Sequence, residues 1–178
     1  KDFEVLGDTA ESYRALPELK VNYQTPWGKY LTFNLDSELA YFDSTSESAP
    51  KATRFHVAPT VALPLRSAWG EFVAETSLLQ TIYKQENIQD TDLSEDVTRT
   101  LGQARLFGAL YFEKDEAWFN KDMSMTLEPK IQYLYTSYED QTDIGQYDST
   151  PLLTDVEGLF RGQEFTGLDR ISDNNQIT

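Results

Sequence analysis

The sequence predicts an all-β fold, an antiparallel up-and-down run of strands forming a segment of a transmembrane β-barrel. Three observations predict it. Six stretches alternate apolar and polar residues, as strands do when their two faces meet different surroundings. The connections between those stretches alternate short, long, short, long, the rhythm of a barrel with tight turns on one rim and long loops on the other. Mean hydropathy is only -0.53, and the longest uninterrupted apolar run, Leu106 to Phe112 with Gly108 inside it, is too short for a spanning helix. A barrel strand needs only every second residue to be apolar, so it can cross where that helix cannot.

The first strand is expected over Arg14 to Tyr23, with Leu19, Val21 and Tyr23 on one face and Pro17 near the start, where a missing N–H is tolerated. Residues 24–29 (QTPWGK) carry the chemistry of a tight turn. The clearest strand follows, Tyr30 to Phe42. Its odd positions are Leu31, Phe33, Leu35, Ser37, Leu39 and Tyr41, and its even positions include Thr32, Asn34, Asp36 and Glu38. About 9–11 tilted residues cross a bilayer, and this stretch is long enough. Residues 43–51 form a polar loop. Ala52 to Leu65 then sets Phe55, Val57, Val61, Leu63 and Leu65 against Arg54, His56, Thr60 and Ala62, with a bulge or break expected at Pro59.

Arg66 to Gly70 is a second short turn. Glu71 to Tyr83 is strand-like, although the adjacent Leu78 and Leu79 interrupt its alternation, and residues 84–96 are a second long loop. Val97 to Glu113 places Ala104, Leu106, Gly108, Leu110 and Phe112 together; Gln103, Arg105 and Glu113 share the other face with Phe107 and Tyr111. Lys114 to Asp122 is a connection. Met123 to Tyr135 is the sixth strand, its polar face holding Glu128, Lys130 and Gln132. Residues 1–136 are thus six strands and 137–174 one long structured loop, with a helical turn around Asp155 to Phe160. Residues 175–178 begin a further strand. Six strands cannot close a membrane barrel, and an open edge in lipid leaves backbone groups unpaired, so a larger barrel is expected around this segment.

Composition narrows the function. Of 178 residues, 15 are Lys or Arg and 30 are Asp or Glu, a net charge of -15 that opposes nucleic acid as a partner. Cysteine is absent, which removes thiol chemistry and disulfides from this stretch. Aromatic residues make up 13%, many of them at strand ends: Tyr23, Trp27, Tyr30, Trp69, Phe72, Trp118, Phe119, Tyr133, Tyr135 and Tyr138. They read either as a girdle at headgroup level or as cross-strand packing.

No catalytic, cofactor-binding or metal-ligating set emerges. The single histidine, His56, lies on the polar face without an evident acid–base partner and reads as a solvated luminal residue. Asp90, Asp92, Ser94 and Asp96 match the early spacing of a calcium loop, but Glu95 stands where glycine is needed and Leu101 where glutamate is. There is no glycine-rich phosphate loop. No apolar leader is visible at the start of the sequence.

One resemblance adds to this. Leu127-Glu128-Pro129, Gln132-Tyr133-Leu134-Tyr135, Tyr147-Asp148-Ser149, Gly158-Leu159-Phe160-Arg161 and Gly167-Leu168-Asp169-Arg170-Ile171, followed by Asn175-Gln176, resemble the LptD family of LPS-assembly outer-membrane proteins (the organic solvent tolerance family). Ala52-Thr53-Arg54 and Val57-Ala58-Pro59 resemble it more loosely. The resemblance implies an interior run of a very large barrel in the outer membrane of a Gram-negative bacterium. It further implies lipopolysaccharide as cargo, a lipoprotein plug (LptE), a periplasmic transport bridge reached through an N-terminal jellyroll, and the barrel assembly machinery during biogenesis. The jellyroll, the first and last strands and the family's cysteines are expected to lie outside this segment.

On that reading Thr32, Asn34, Asp36, Glu38, Glu128, Lys130 and Gln132 face the lumen, and Leu31, Phe33, Leu35 and Leu39 face lipid. Tyr138, Glu139, Asp140, Asp143, Tyr147 and Asp148 contact the plug. Arg161, Asp169 and Arg170, with Asp155 and Glu157 nearby, form either an ion-pair network holding the loop in the lumen or a path for an anionic headgroup. The activity implied is transport without covalent chemistry. The alternatives are a porin-like or enzymatic outer-membrane barrel and a soluble β-sandwich that binds carbohydrate, whose alternation would be a one-sided core.

Overall fold

The computed structural model describes the chain except residues 1, 5–11, 47, 90, 119–120 and 154–156. The strands are β1 (Asp2–Glu4), β2 (Ser12–Trp27), β3 (Leu31–Ser44), β4 (Lys51–Ser67), β5 (Gly70–Glu86), β6 (Asp96–Leu110), β7 (Phe112–Trp118), β8 (Lys121–Leu127), β9 (Lys130–Thr136) and β10 (Asn174–Ile177). One antiparallel sheet runs in the order β1-β2-β3-β4-β5-β6-β9-β10, and β7 and β8 pair only with each other. Every neighbour in the large sheet is the next wall strand in sequence, with the β7–β8 hairpin interposed between β6 and β9. This is an up-and-down wall.

Its polarity is inverted relative to a protein in water. Leu19, Leu39, Phe55 and Ile82 lie opposite one another across β2 to β5, and all are exposed. The next row on the other face is Lys20, Glu38, His56, Thr81 and Arg99, of which Glu38, His56, Thr81 and Arg99 are buried. A soluble sandwich buries its apolar face against a second layer. Here the apolar face has no second layer among the described residues, and the polar face is the covered one, which fits a wall between lipid and lumen.

The tight turns share one rim. Trp27 pairs with Leu31 around a turn at 28–30, where Gly28 takes φ +75°, a left-handed conformation that favours glycine. Ser67 pairs with Gly70 around Ala68 and Trp69. The connections that begin after Ser44, Glu86 and Thr136 all leave from the opposite rim.

Three features differ from the sequence expectation. The strand expected over Val97 to Glu113 ends at Leu110, and the connection expected over 114–122 is largely strand, β7 and β8 projecting from the short-turn rim. The strand expected over Met123 to Tyr135 is two strands, divided at Glu128 and Pro129. Proline has no N–H to give a ladder, and the Pro129 carbonyl instead accepts the Leu110 N–H at 3.0 Å. At Pro59 the expected local break is present, without a bulge. The ladder to β5 lapses at Ala58 and Pro59 and resumes in unchanged register, from Val57 opposite Gln80 to Thr60 opposite Ser77.

The two faces respond oppositely to charge. Val61→Lys, on the lipid side, is expected to cost about 2–4 kcal/mol if it lies at mid-bilayer depth. Thr60→Lys, one residue away on the polar face, is expected to leave assembly of the full-length barrel near wild type. Denaturant unfolding in vesicles measures both.

Candidate functional site

The connection from Ser137 to Asp173 leaves the top of β9, crosses the polar face and returns at β10, where Asn174 pairs with Thr136. It is anchored by Arg54, a β4 side chain only 1% exposed. Nε and Nη2 both donate to Glu38 Oε1, at 3.0 and 2.5 Å. Nη1 and Nη2 bind Asp148 as a fork, to Oδ1 at 2.9 Å and Oδ2 at 2.5 Å. Nη1 also donates to Asp169 Oδ1 at 2.7 Å, and the guanidinium lies 4.7 Å from the centre of the Phe42 ring. A planar fork of five N–H groups is what one strand needs to bind three acids at once.

Asp169 is the second node. It is fully buried, and Oδ2 accepts the backbone N–H groups of Tyr147 and Asp148, each at 2.7 Å. Tyr83 donates to Oδ1 at 3.1 Å. Burial pushes the Asp169 carboxyl up to about 6; the charge of Arg54 opposes this and that of Asp148 adds to it. For Asp148, burial works upward, but the hydrogen bonds and charge of Arg54 outweigh it and hold the carboxyl below its ordinary range.

Around these nodes the sheet grips the loop through its backbone. Arg99 donates to the carbonyls of Leu168 and Asp169 at 2.5 and 2.9 Å, and to Gln141 Oε1 at 2.7 Å. Gln85 donates to the carbonyls of Ser94 and Asp143 at 2.6 and 2.8 Å, tying two loops to β5. Its own carbonyl accepts the Tyr147 hydroxyl at 2.7 Å and the Gly145 N–H at 2.8 Å. Tyr147 stacks on Phe42 at 5.4 Å and meets Tyr13 edge-on at 5.2 Å. Phe160, in the 3₁₀ turn Glu157–Phe160, meets Phe107 at 6.0 Å. Gly167 has φ +65°, and a Cβ there would run into Asp148.

The sequence-predicted residues fall into groups. Asn34 and Asp36 line an open polar depression of about 520 Å³ with Asn22, Gln24, Thr60, Glu75 and Ser77; Thr32 shares their face by register. Glu38 lies under the loop on Arg54. Gln132 is buried and accepts from Arg105 Nε at 2.8 Å. Lys130 starts β9 and pairs with Glu128 at 3.3 Å; Glu128 itself sits outside any strand. Tyr138, Asp140 and Asp143 are exposed, and Glu139 is half-buried with its carboxylate on the Thr100 N–H at 2.8 Å. Tyr147 and Asp148 are buried inside the chain's own network. Arg170 donates to the Ile144 carbonyl at 2.7 Å. Arg161 donates to the Leu153 carbonyl at 3.2 Å. His56 is buried against Thr81, its Nδ1 2.8 Å from the hydroxyl, where a solvated residue was expected. Asp90, Asp155 and Val156 lie outside the described residues.

The sequence reading missed Arg54, Arg99, Gln85 and Tyr83. A signal existed: Phe42, Leu79 and Phe107 are apolar residues on the polar face. Phe42 and Phe107 meet loop aromatics, while Leu79 lines a small cavity with Phe165 and Leu168.

An inside-out antiparallel wall with a long segment pinned to its polar face defines a segment of a transmembrane β-barrel whose lumen is partly filled by its own chain. Comparison with known proteins makes the class specific. All of residues 1–178 match the family described as LPS transport system D. The chain is 61% identical over 178 residues to the LPS-assembly protein LptD of Pseudoalteromonas atlantica, covering 100% of this chain and 24% of that protein. Identity is 41% over 180 residues to the protein of the same name from Shewanella frigidimarina and 41% over 186 residues to that of Sodalis glossinidius, again 24% of each relative. The chain belongs to the LptD family and spans about a quarter of the length of these curated relatives.

Removing Arg54 leaves two buried carboxylates, Asp148 and Asp169, without their cation, while Glu38 keeps Lys20 at 3.0 Å. Arg54→Met is expected to cost about 3–5 kcal/mol of loop docking, the usual penalty for breaking a buried ion pair from one side. Limited proteolysis of the assembled full-length barrel measures this as new cleavage within 138–170. Gly167→Ala is expected to loosen the same segment through backbone strain, with the strands still protected.

Proposed function

We propose that this chain forms part of the wall of an outer-membrane translocon that delivers lipopolysaccharide to the outer leaflet. Family membership supports the cargo. The observation that carries the mechanism is the open polar tract below the docked loop, where Asn22, Gln24, Asn34, Thr60 and Ser77 offer hydrogen-bonding groups beside Asp36 and Glu75. Amide and hydroxyl groups suit a sugar headgroup, since they exchange hydrogen bonds with its hydroxyls without holding it as a charge would. Acyl chains would remain with the apolar face. The wall supplies a surface and no chemistry, so the driving energy comes from partners reached through a periplasmic bridge. Barrel assembly machinery would insert the finished wall.

The exposed side chains of Tyr138, Asp140 and Asp143, with the half-buried Glu139 beside them, form the plug-facing part of the loop on this reading. Tyr147 and Asp148 contribute from beneath, by fixing the backbone that presents those residues.

A photo-crosslinker at Ser77 in the full-length protein is expected to capture lipopolysaccharide in living cells, and one at Val61, on the opposite face, is expected to capture far less. A crosslinker at Asp143 is expected to capture a small lipoprotein. Porin-like ion conductance with no lipopolysaccharide adduct at Ser77 would reject this function.

A further inference from the structure

Toward the long-loop rim the open polar tract runs into a cavity that the transport reading leaves unassigned. The cavity occupies about 410 Å³ between the wall and the docked loop, in the size range of ligand pockets. Asn22 and Asp36 line both spaces, so the tract opens into the cavity. Ala58 lines it from the wall, and Gln163, Thr166 and Gly167 line it from the loop. A smaller space of about 120 Å³ meets it at His56, Gln163 and Leu168.

His56, only 5% exposed, stands where the two spaces join. Its neighbours fix its proton. Arg99 Nη2 donates to Thr81 Oγ1 at 3.1 Å, and that oxygen lies 2.8 Å from His56 Nδ1. Thr81 is fully buried and has no other acceptor among the described residues, so its one hydrogen goes to Nδ1. The ring is therefore neutral and carries its proton on Nε2. Nε2 has no partner among the described residues and is open to the cavity.

The charges around this donor select the ligand. Lys20 is the one cation among the described residues lining the cavity, and it already lies 2.7 Å from Glu18 and 3.0 Å from Glu38. Asp148 is held by Arg54. Asp36 gives one oxygen to the Asn22 amide at 2.5 Å and keeps the other open. A phosphate here would face Glu18, Asp36, Glu38 and Asp148 with a single, already paired ammonium to receive it. An uncharged hydroxylated ring instead finds complementary groups: an acceptor in Asp36, a donor in His56 Nε2, and both in the exposed amide of Gln163. We infer that this cavity is a sugar site, which holds an uncharged hydroxylated ring of the headgroup beneath the loop. The inference rests on the transport reading.

The test places a photo-crosslinker at Gln163 of the full-length protein in living cells, where it is expected to capture lipopolysaccharide. Ala58→Leu, which fills the cavity from the wall, is expected to lower that adduct about tenfold, equivalent to about 1.4 kcal/mol of binding. Capture at Ser77, in the tract below, is expected to stay unchanged. His56→Phe keeps a buried ring but removes the Nε2 donor, and it is expected to act like Ala58→Leu should the latter fail to assemble. With the purified full-length protein, a phosphate-free core oligosaccharide is expected to compete for the Gln163 adduct, and inorganic phosphate is not. Capture at Ser77 with none at Gln163, or a Gln163 adduct indifferent to both variants, would overturn the site. Competition by phosphate and not by the oligosaccharide would make it an anion site and overturn it equally. Capture at neither position would instead reject the transport reading itself.

Discussion

Arg54 is the constraint on which the arrangement of this molecule depends. One guanidinium, removed from water on β4, is tolerable only because Glu38, Asp148 and Asp169 surround it. Two of those acids come from the long connection, so satisfying one strand residue fixes the path of the segment between Ser137 and Asp173. The backbone bonds from Arg99 and Gln85 then follow, because the loop has been brought within their reach. Deep ion pairs give modest net stability but penalise misplacement strongly. That suits a segment which must occupy one position inside a channel.

The wall and its filling answer to different solvents. Outward rows such as Leu19, Leu39, Phe55 and Ile82 need only be apolar, since lipid imposes no directional demand. Inward rows must find hydrogen-bond partners wherever the loop excludes water, and they do so with unusually specific geometry: the fork of Arg54 on Asp148, the carbonyl of Gln85 on the Tyr147 hydroxyl. Below the loop the same face is open, and its polar groups bond across the strands, as Asn22 does to Asp36 and Thr60 to Ser77.

Much of this was legible in the sequence, for reasons that differ by level. Strand positions and the two rims could be read because period-two alternation and turn chemistry are local. The β7–β8 hairpin could not, because alternation continues from Met123 through Pro129 to Tyr133, and the period of a protruding strand equals that of a wall strand. The network around Arg54 was hidden because its acids lie 94 and 115 residues away. What betrayed the docking surface was local after all: Phe42, Leu79 and Phe107 violate the alternation where the loop lies.

Those separations also imply an order of events. Glu38 is only 16 residues from Arg54 and sits on the neighbouring strand, so their pair can close as soon as the β3–β4 hairpin forms. Asp148 and Asp169 must wait for more than ninety further residues and three more wall strands. During that interval Glu38 is the one acid of the three within reach of the guanidinium, and it is shared with Lys20 of β2, which lies 3.0 Å from its other oxygen and also pairs with Glu18 at 2.7 Å. The same carboxylate that is one acid among three in the finished wall is thus the first counter-ion of Arg54 in the growing one.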